Sequence, residues 1–308
     1  MSEIRFDGRV AIVTGAGVGL GRSHALGLAA RGAKVVVNDL GVSRDGTGST
    51  SAASEAVVAE IKAMGGEAIA HGCDVSDEDG VNHMIAQTMD AWGRIDICVN
   101  NAGILMDKTF AKMEMSAFRK VVDVHLIGSA NVAHACWPIM REQQYGRVVF
   151  TASSSGLYGN FGQANYGAAK AAMMGLMNVL HMEGARDNIR VNTLAPTAVT
   201  RMTEELFPPE AAEMLAPETI TPGLLYLVSE DAPSQVIMGA GGGSFAQTRV
   251  YETQGITLTG VENTPEEVAA KFDQITDPIN QQEMADAFSQ TKKYALNAAK
   301  ARGLKLDW

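Results

Sequence analysis

The chain has 308 residues, 46% hydrophobic and 19% charged, enough to bury one large core with room for a small annex. Its formal net charge of -10, with no basic run to offset it, excludes non-specific binding to nucleic acid. Any phosphate-bearing ligand must then be met by local cations or helix N-termini.

At the N-terminus, MSEIRFDG carries mixed charge and does not read as a secretory leader. No apolar run approaches the roughly 18 residues that span a bilayer, so a soluble, cytoplasmic chain is expected. Cys73, Cys98 and Cys136 form no CxxC pair and read as reduced core residues, which fits the same compartment.

The first strand is predicted at VAIV (10–13), and TGAGVGLGRSHALGLAARG follows it. Gly15, Gly19 and Gly21 fall in a GxxxGxG spacing, with Leu20 inside the turn. A strand, a glycine turn and then a small-residue helix form a pyrophosphate cradle: one glycine permits the turn, another the approach of backbone to the anion, a third the packing of helix on strand. The second strand, KVVVND (34–39), ends at Asp39, 24 positions beyond Gly15. A carboxylate there can accept from the adenosine ribose hydroxyls and repels a 2'-phosphate, which favours NAD over NADP. The competing reading is that Asp39 caps its own loop. That loop, GVSRDGTGSTSAAS (41–54), is longer than usual and either frames the adenosine end or is merely mobile.

A third strand, AIAH (68–71), leads to Asp74 and Val75, placed to meet the adenine edge, although Asp74 or Ser76 can equally be the N-cap of the next helix. The fourth strand, DICVN (96–100), runs into Asn101, Ala102 and Gly103, where an amide and small residues can line the ribose. The fifth, RVVFTA (147–152), ends at Ser153, and the helix after it carries Tyr166 and, one turn on, Lys170. Six tyrosines make a Tyr-x-x-x-Lys pair common by accident; its setting beside a C-terminal strand end is what gives it weight. An unperturbed phenol near ~10 is a poor base at neutral pH, and a cation one turn away is expected to lower that value. Tyr166 would exchange a proton with a substrate oxygen that Ser153 holds, while hydride passes to or from a nicotinamide ring. Lys170 would also bind the nicotinamide ribose.

RVNTLA (190–195) and QVIMGA (235–240) complete seven short β-branched runs alternating with helical stretches. The pattern predicts an α/β, doubly wound, seven-stranded parallel sheet with helices on both faces. Alternation stops near residue 245, giving a division into 1–245 and a helical extension over 246–308. In the extension, Thr264, Pro265 and Glu267 read as a capping box, Val268, Phe272 and Ile275 as a helical stripe, and a further helix is predicted from about Gln281 to Ala299. The extension either covers core or subunit surface or forms a wall over a long substrate. No GxSxG elbow, GxxxxGK[ST] loop or HExxH pattern is present, and no metal is expected.

Together Gly15, Gly19 and Gly21, the Asn101-Ala102-Gly103 element, Ser153, Tyr166, Lys170 and the stretch Asn192–Pro196 resemble the short-chain dehydrogenase/reductase family over roughly residues 8–245. The resemblance implies a Rossmann-type fold, a nicotinamide cofactor whose carboxamide lies near APTAVT (195–200), including Pro196 and Ala198, and a dimer or tetramer built on the fourth and fifth helices. VAHACWPIM (132–140) and GAAKAAMMGLMNVL (167–180) offer apolar stripes for such a face. One position departs: where the family commonly has an Asn holding a water for the lysine, this chain has His125, which either orients the same water or simply packs.

NDLG (38–41), NNAGILMDKTFAKM (100–113), GLYGNFGQANY (156–166) and APTAVTRMTE (195–204) are similar, more narrowly, to the (3R)-hydroxyacyl-CoA dehydrogenase unit of the peroxisomal multifunctional enzymes of type 2. This implies oxidation of a hydroxyl on an acyl-CoA or steroid-side-chain acyl-CoA by a stand-alone, bacterial-type enzyme, its acyl chain lying against Leu157, Tyr158, Phe161, Met202 and Phe207. Two other readings stay open: a 17β-hydroxysteroid dehydrogenase acting on free steroids, and a non-catalytic NAD-binding subunit.

Overall fold

The computed structural model describes residues 3–43, 46–48, 50–199 and 213–307. They divide into two compact units, Met1–Gln247 and Thr248–Trp308.

Strands and helices alternate through the first unit: β1 (Val10–Thr14), α1 (Gly19–Ala30), β2 (Lys34–Asn38), α2 (Ala52–Ala63), β3 (Ala68–His71), α3 (Glu78–Trp92) and β4 (Ile97–Asn100). There follow α4 (Met115–Val122), α5 (Gly128–Gln143), β5 (Gly146–Thr151), α6 (Ser154–Tyr158), α7 (Ala164–Gly184), β6 (Ile189–Pro196), α8 (Thr221–Leu227), β7 (Ile237–Gly241) and β8 (Ser244–Thr248). The sheet order is β3-β2-β1-β4-β5-β6-β7-β8. Every pairing from β3 through β7 is parallel. An eighth strand therefore joins the seven expected. Gly242 and Gly243, at φ +56° and +74°, link β7 to β8 in two residues, a span that only an antiparallel hairpin closes.

Strand β1 shows why the sheet is sandwiched. Ala11 and Val13 point into the apolar layer containing Leu28 and Leu224, while Ile12 points into the opposite layer with Val81, Met84, Cys136 and Met140. Strands buried on both faces need unbroken apolar sequence, which is what the β-branched runs supply. Cys73, Cys98 and Cys136 are buried and free. Strand order reverses between β1 and β4, so a crevice opens at their C-terminal ends. No helix among the described residues is long and apolar enough to cross a membrane.

The second unit pairs two short strands, β9 (Tyr251–Glu252) and β10 (Gln282–Glu283), antiparallel, with α9 (Pro265–Ala270), α10 (Phe272–Ile275) and α11 (Ala287–Ala301). It departs from the sequence reading in three places. Thr264 Oγ1 accepts the Glu267 N–H at 3.2 Å, but the Glu267 carboxylate pairs with Lys271 at 3.0 Å instead of turning back to close a reciprocal box. The stripe Val268–Phe272–Ile275 is split between two helices at Lys271, and Val268 and Phe272 are exposed. The last helix begins only at Ala287, because Asp286 accepts the Ser289 N–H at 2.7 Å and fixes the start, while Gln282 and Glu283 are strand. Inside this unit Lys293 is buried, donating to Glu252 Oε1 at 2.7 Å and to the Thr253 carbonyl at 2.6 Å.

Candidate active site

The turn after β1 is held open by glycine for steric reasons. Gly15 and Gly19 have φ of +62° and +55°. A β-carbon on Gly21 would stand 2.1 Å from the Gly15 carbonyl oxygen, and one on Gly15 would stand 2.8 Å from Ala102 Cα. Thr14 and Asn101 lock this turn to the next strand end. Thr14 Oγ1 accepts the N–H groups of Asn101 and Ala102, both at 3.0 Å, and the Asn101 amide donates to the carbonyls of Thr14 (3.0 Å) and Gly15 (3.1 Å). Asn101 thus spends its amide N–H on the glycine turn.

Asp39 spans the mouth of that turn. Its Oδ2 accepts the Gly17 N–H and its Oδ1 the Gly41 N–H, both at 2.7 Å. The carboxylate organises two loops and, with further lone pairs on each oxygen, still faces the crevice. Gly17 was missed in the sequence reading; a β-carbon there would sit 2.8 Å from Asp39 Oδ2. Asp74 is not a helix N-cap, and neither is Ser76. Asp74 Oδ1 accepts from the Ser76 N–H (2.9 Å) and hydroxyl (2.7 Å) in a local turn, and α3 starts after Asp77. Val75 is buried beside it and its carbonyl accepts from the Asn131 amide at 3.1 Å.

Ser153, two residues beyond the end of β5, is the N-cap of α6, its hydroxyl accepting the Ser155 N–H at 3.2 Å. Tyr166 on α7 lines the same cleft as Ser153, whose hydroxyl acts to lower the phenol's pKa. Lys170, 4% exposed, donates to the Thr151 carbonyl at 2.6 Å and places its Nζ 5.6 Å from the centre of the Tyr166 ring. The electrostatics differ from the expectation. Burial raises the phenol above its ordinary value, Ser153 pulls it back and Asp107 adds to the rise, so the chain's own charges do not lower it. Burial also pushes Lys170 down to about 7. Sequence spacing gives the Tyr–Lys neighbourhood but not its distance from water, and desolvation is the largest influence on the phenol.

His125 lies in a π-helical turn, Asp123–Ile127, through which α4 continues into α5 on unbroken right-handed backbone. Its Nε2 meets the main chain of Ile104, 3.1 Å from the N–H and 2.9 Å from the carbonyl oxygen. Its Nδ1 is buried with no hydrogen-bond partner. The ring stands edge-to-face with Tyr166, centres 5.1 Å apart at 86°. Burial, then the charge of Lys170, hold the imidazole well below its ordinary value, so it is neutral.

One cleft of about 360 Å³ at the C-terminal strand ends gathers Gly15, Gly19, Leu20, Asp39, Asp74, Val75, Asn101, Ala102, Gly103, His125, Ser153, Tyr166, Lys170, Pro196 and Ala198. Gly21 is buried behind the turn and does not line it. Nor do the residues expected to flank an acyl chain: Leu157 packs against the core, while Tyr158 and Phe161 are strongly exposed. Met202 and Phe207, and Thr200 of the APTAVT stretch, lie outside the described residues. Sequence reasoning also missed Gln163. Its amide donates to Asp107 Oδ2 (2.8 Å) and accepts from Ser155 Oγ (2.8 Å) and Asn160 Nδ2 (3.1 Å), joining three segments at the cleft rim. A polar residue three positions before a helical Tyr–Lys pair is the signal that could have found it.

Comparison with known proteins places the chain in a family. The family model for short chain dehydrogenases matches residues 9–211, and the chain belongs to that family. It is 48% identical over 270 residues to the short-chain type dehydrogenase/reductase Rv0148 of Mycobacterium tuberculosis, covering 87% of this chain and 94% of the relative. Among solved structures, the full-length peroxisomal multifunctional enzyme type 2 of Drosophila melanogaster superposes with a TM-score of 0.78 at 35% identity, over 95% of this chain and 49% of that one. The chain thus spans about half the length of that enzyme. A 7α-hydroxysteroid dehydrogenase complexed with NADH and 7-oxo glycochenodeoxycholic acid superposes at 0.70 with 31% identity, over 78% of this chain and 95% of that one. The protein is an oxidoreductase of the short-chain dehydrogenase family and uses a nicotinamide cofactor. The glycine turn fits such a group, since a β-carbon at Gly15 or Gly21 would collide with the cradle's own backbone.

Proposed function

We propose that the chain oxidises a secondary hydroxyl of a (3R)-hydroxyacyl-CoA, or of a steroid-side-chain hydroxyacyl-CoA, to a ketone with NAD. The observation that carries this reading is the convergence of Ser153, Tyr166 and Lys170 at the end of β5, in the same cleft as Asp39 and the glycine turn. Gly15, Gly19, Leu20, Asp39, Asp74, Val75 and the Asn101–Gly103 element would hold the dinucleotide, with Pro196 and Ala198 at its nicotinamide end; when bound, it accepts the hydride at its ring. Ser153 donates a hydrogen bond to the substrate oxygen. As the phenolate that the positive charge of an oxidised nicotinamide would favour, its own proton released to solvent, Tyr166 takes the hydroxyl proton as the carbon–hydrogen bond breaks. Phenolate and ammonium favour each other's charged forms, so Lys170 regains its proton affinity as Tyr166 ionises. The carboxylate of Asp39, which meets no cation among the described residues, is the basis for NAD over NADP.

Likeness to the type 2 multifunctional enzymes supports the acyl-CoA class. A second reading, a 17β-hydroxysteroid dehydrogenase acting on free steroid, draws support from the steroid-bound structural relative. Exposed Val179 and Met182 on α7 support a homodimer or homotetramer. The two units, the catalytic 1–245 and the C-terminal extension 246–308, are read as core and subunit or substrate cover. A screen at 340 nm with NAD and NADP against a straight-chain hydroxyacyl-CoA, a steroid-side-chain hydroxyacyl-CoA and a free 17β-hydroxysteroid tests the reading. NADH formation with a CoA ester supports it, turnover of free steroid alone replaces it with the second, and NAD binding without any turnover leaves a non-catalytic subunit.

A further inference from the structure

We propose that His125 and Gly103 form a size-matched positioning pair that holds the Tyr166 phenol in its reactive orientation through the imidazole ring itself, and that His125 passes no proton. This rests on the dehydrogenase reading above and adds to it a residue acting through Tyr166.

Four observations converge. A β-carbon on Gly103 would stand 2.1 Å from His125 Cε1, 2.9 Å from Nδ1 and 3.0 Å from Nε2, so the glycine vacates the space that the ring fills. Nε2 bonds the main chain of Ile104, the next residue, as acceptor from its N–H or donor to its carbonyl according to the tautomer, and this tethers the ring. The ring then abuts Tyr166 edge-to-face at 5.1 Å, a geometry aromatic pairs favour. Finally, the π-helical turn carries His125 between α4 and α5 at a register an uninterrupted α-helix would not give. Tyr166 also packs against the cluster of Ile104, Val121 and Ala169, and Ser153 and Asp107 act on the phenol's charge; among these contacts His125 supplies the aromatic edge.

A relay role fits the same atoms poorly. Nε2 is committed to backbone, and Nδ1 is buried without a partner. The imidazole is also held neutral by burial and Lys170.

The test uses the full chain with His125→Ala, His125→Phe, His125→Gln, Gly103→Ala and the double variant Gly103→Ala/His125→Ala, each first checked for folding by its Tm. A misoriented base costs rate more than binding, so His125→Ala should lower kcat by about 30-fold or more while the KM for NAD changes by less than about 3-fold. Gly103→Ala should lose at least as much, and the double variant should be no worse than the poorer single, because the new methyl enters the space the ring left. His125→Phe, which keeps a ring against Tyr166, should recover about tenfold over His125→Ala, and His125→Gln, which keeps only hydrogen bonding, should not. If His125→Phe does not fold, the Gln variant and the double-variant comparison decide.

The titration of Tyr166, read as absorbance at 295 nm of each protein minus its Tyr166→Phe counterpart, needs no substrate. It should move in His125→Ala, because the phenol leaves its place beside Ser153 and its burial changes. Full activity in His125→Ala, rescue by Gln but not Phe, losses that multiply in the double variant, or an unmoved phenol titration would each overturn the proposal. A wild-type protein that forms no NADH with any alcohol would instead overturn the dehydrogenase reading, with the phenol titration still deciding the pair.

Discussion

Asp39 accepts the main-chain N–H of Gly17 at 2.7 Å across 22 residues of sequence, tying the end of β2 to the glycine turn. Its other oxygen accepts from Gly41, so the residue that would read the ribose also builds the loops around it. Asp39→Asn turns an NH₂ toward one of these two donors. We expect a loss of about 1–3 kcal/mol, seen as a lower urea midpoint at unchanged slope. The same variant removes the charge that repels a 2'-phosphate, so the ratio of kcat/KM for NAD over NADP should fall by about tenfold or more. An unchanged ratio would remove Asp39 from cofactor choice and leave it as a loop organiser.

Gly21 tests the cradle. With the added β-carbon only 2.1 Å from the Gly15 carbonyl, Gly21→Ala must push the helix start away from the turn. Dinucleotide affinity, measured by quenching of intrinsic fluorescence, should weaken by about tenfold or more, with a loss of stability of about 1–3 kcal/mol from overpacking.

Lys170 sits in the fold at a cost. Burial lowers its pKa to about 7 while the unfolded chain keeps the ordinary 10.5, so between those limits the unfolded state binds more protons and stability rises with pH. The contribution is fully present above about 10.5 and lost as pH falls through about 7, amounting to about 5 kcal/mol across the window. Lys170→Met should therefore abolish turnover yet raise Tm at pH 7 and flatten its dependence on pH over this range, after about 1 kcal/mol is given back for the unmade bond to Thr151. A lower Tm at pH 7 would refute the assignment.

A second buried titratable group sets the acid limit. His24 is fully buried between α1 and α8, its Nδ1 2.9 Å from Thr221 Oγ1, and burial lowers it to about 3. For a lowered histidine the stability is fully present above about 6.5 and falls with pH until about 3, by about 5 kcal/mol in total. His24→Met should shift the acid unfolding midpoint, followed by circular dichroism, to lower pH.

Much of this was legible in sequence because local chemistry and topology agree. Gly15, Gly19, Asp39 and Ser153 stand at or just beyond strand ends, Lys170 stands one helical turn from Tyr166, and a parallel sheet brings its C-terminal ends together. What was not legible depends on the third dimension. Asp74 has the composition of an N-cap, and only the backbone path shows it bonded to Ser76 in a turn of its own. The stripe from Val268 to Ile275 reads as one helix until Lys271 is seen to end the first and precede the second. The raised phenol of Tyr166 reflects depth below the surface, which a Tyr-x-x-x-Lys spacing does not encode. Gly103 and His125 are 22 positions apart, and nothing in either neighbourhood announces that one fills the space the other leaves.

The most direct measurement is turnover of a secondary alcohol by Tyr166→Phe beside the wild type, with NADH binding measured on both. Removing one oxygen from the proton-exchanging group should lower kcat by about 10³-fold or more while the Kd for NADH stays within about 3-fold. Retention of most of the wild-type kcat by a folded, NADH-binding Tyr166→Phe would contradict the account, because the proton would then leave by a route that does not pass through Tyr166.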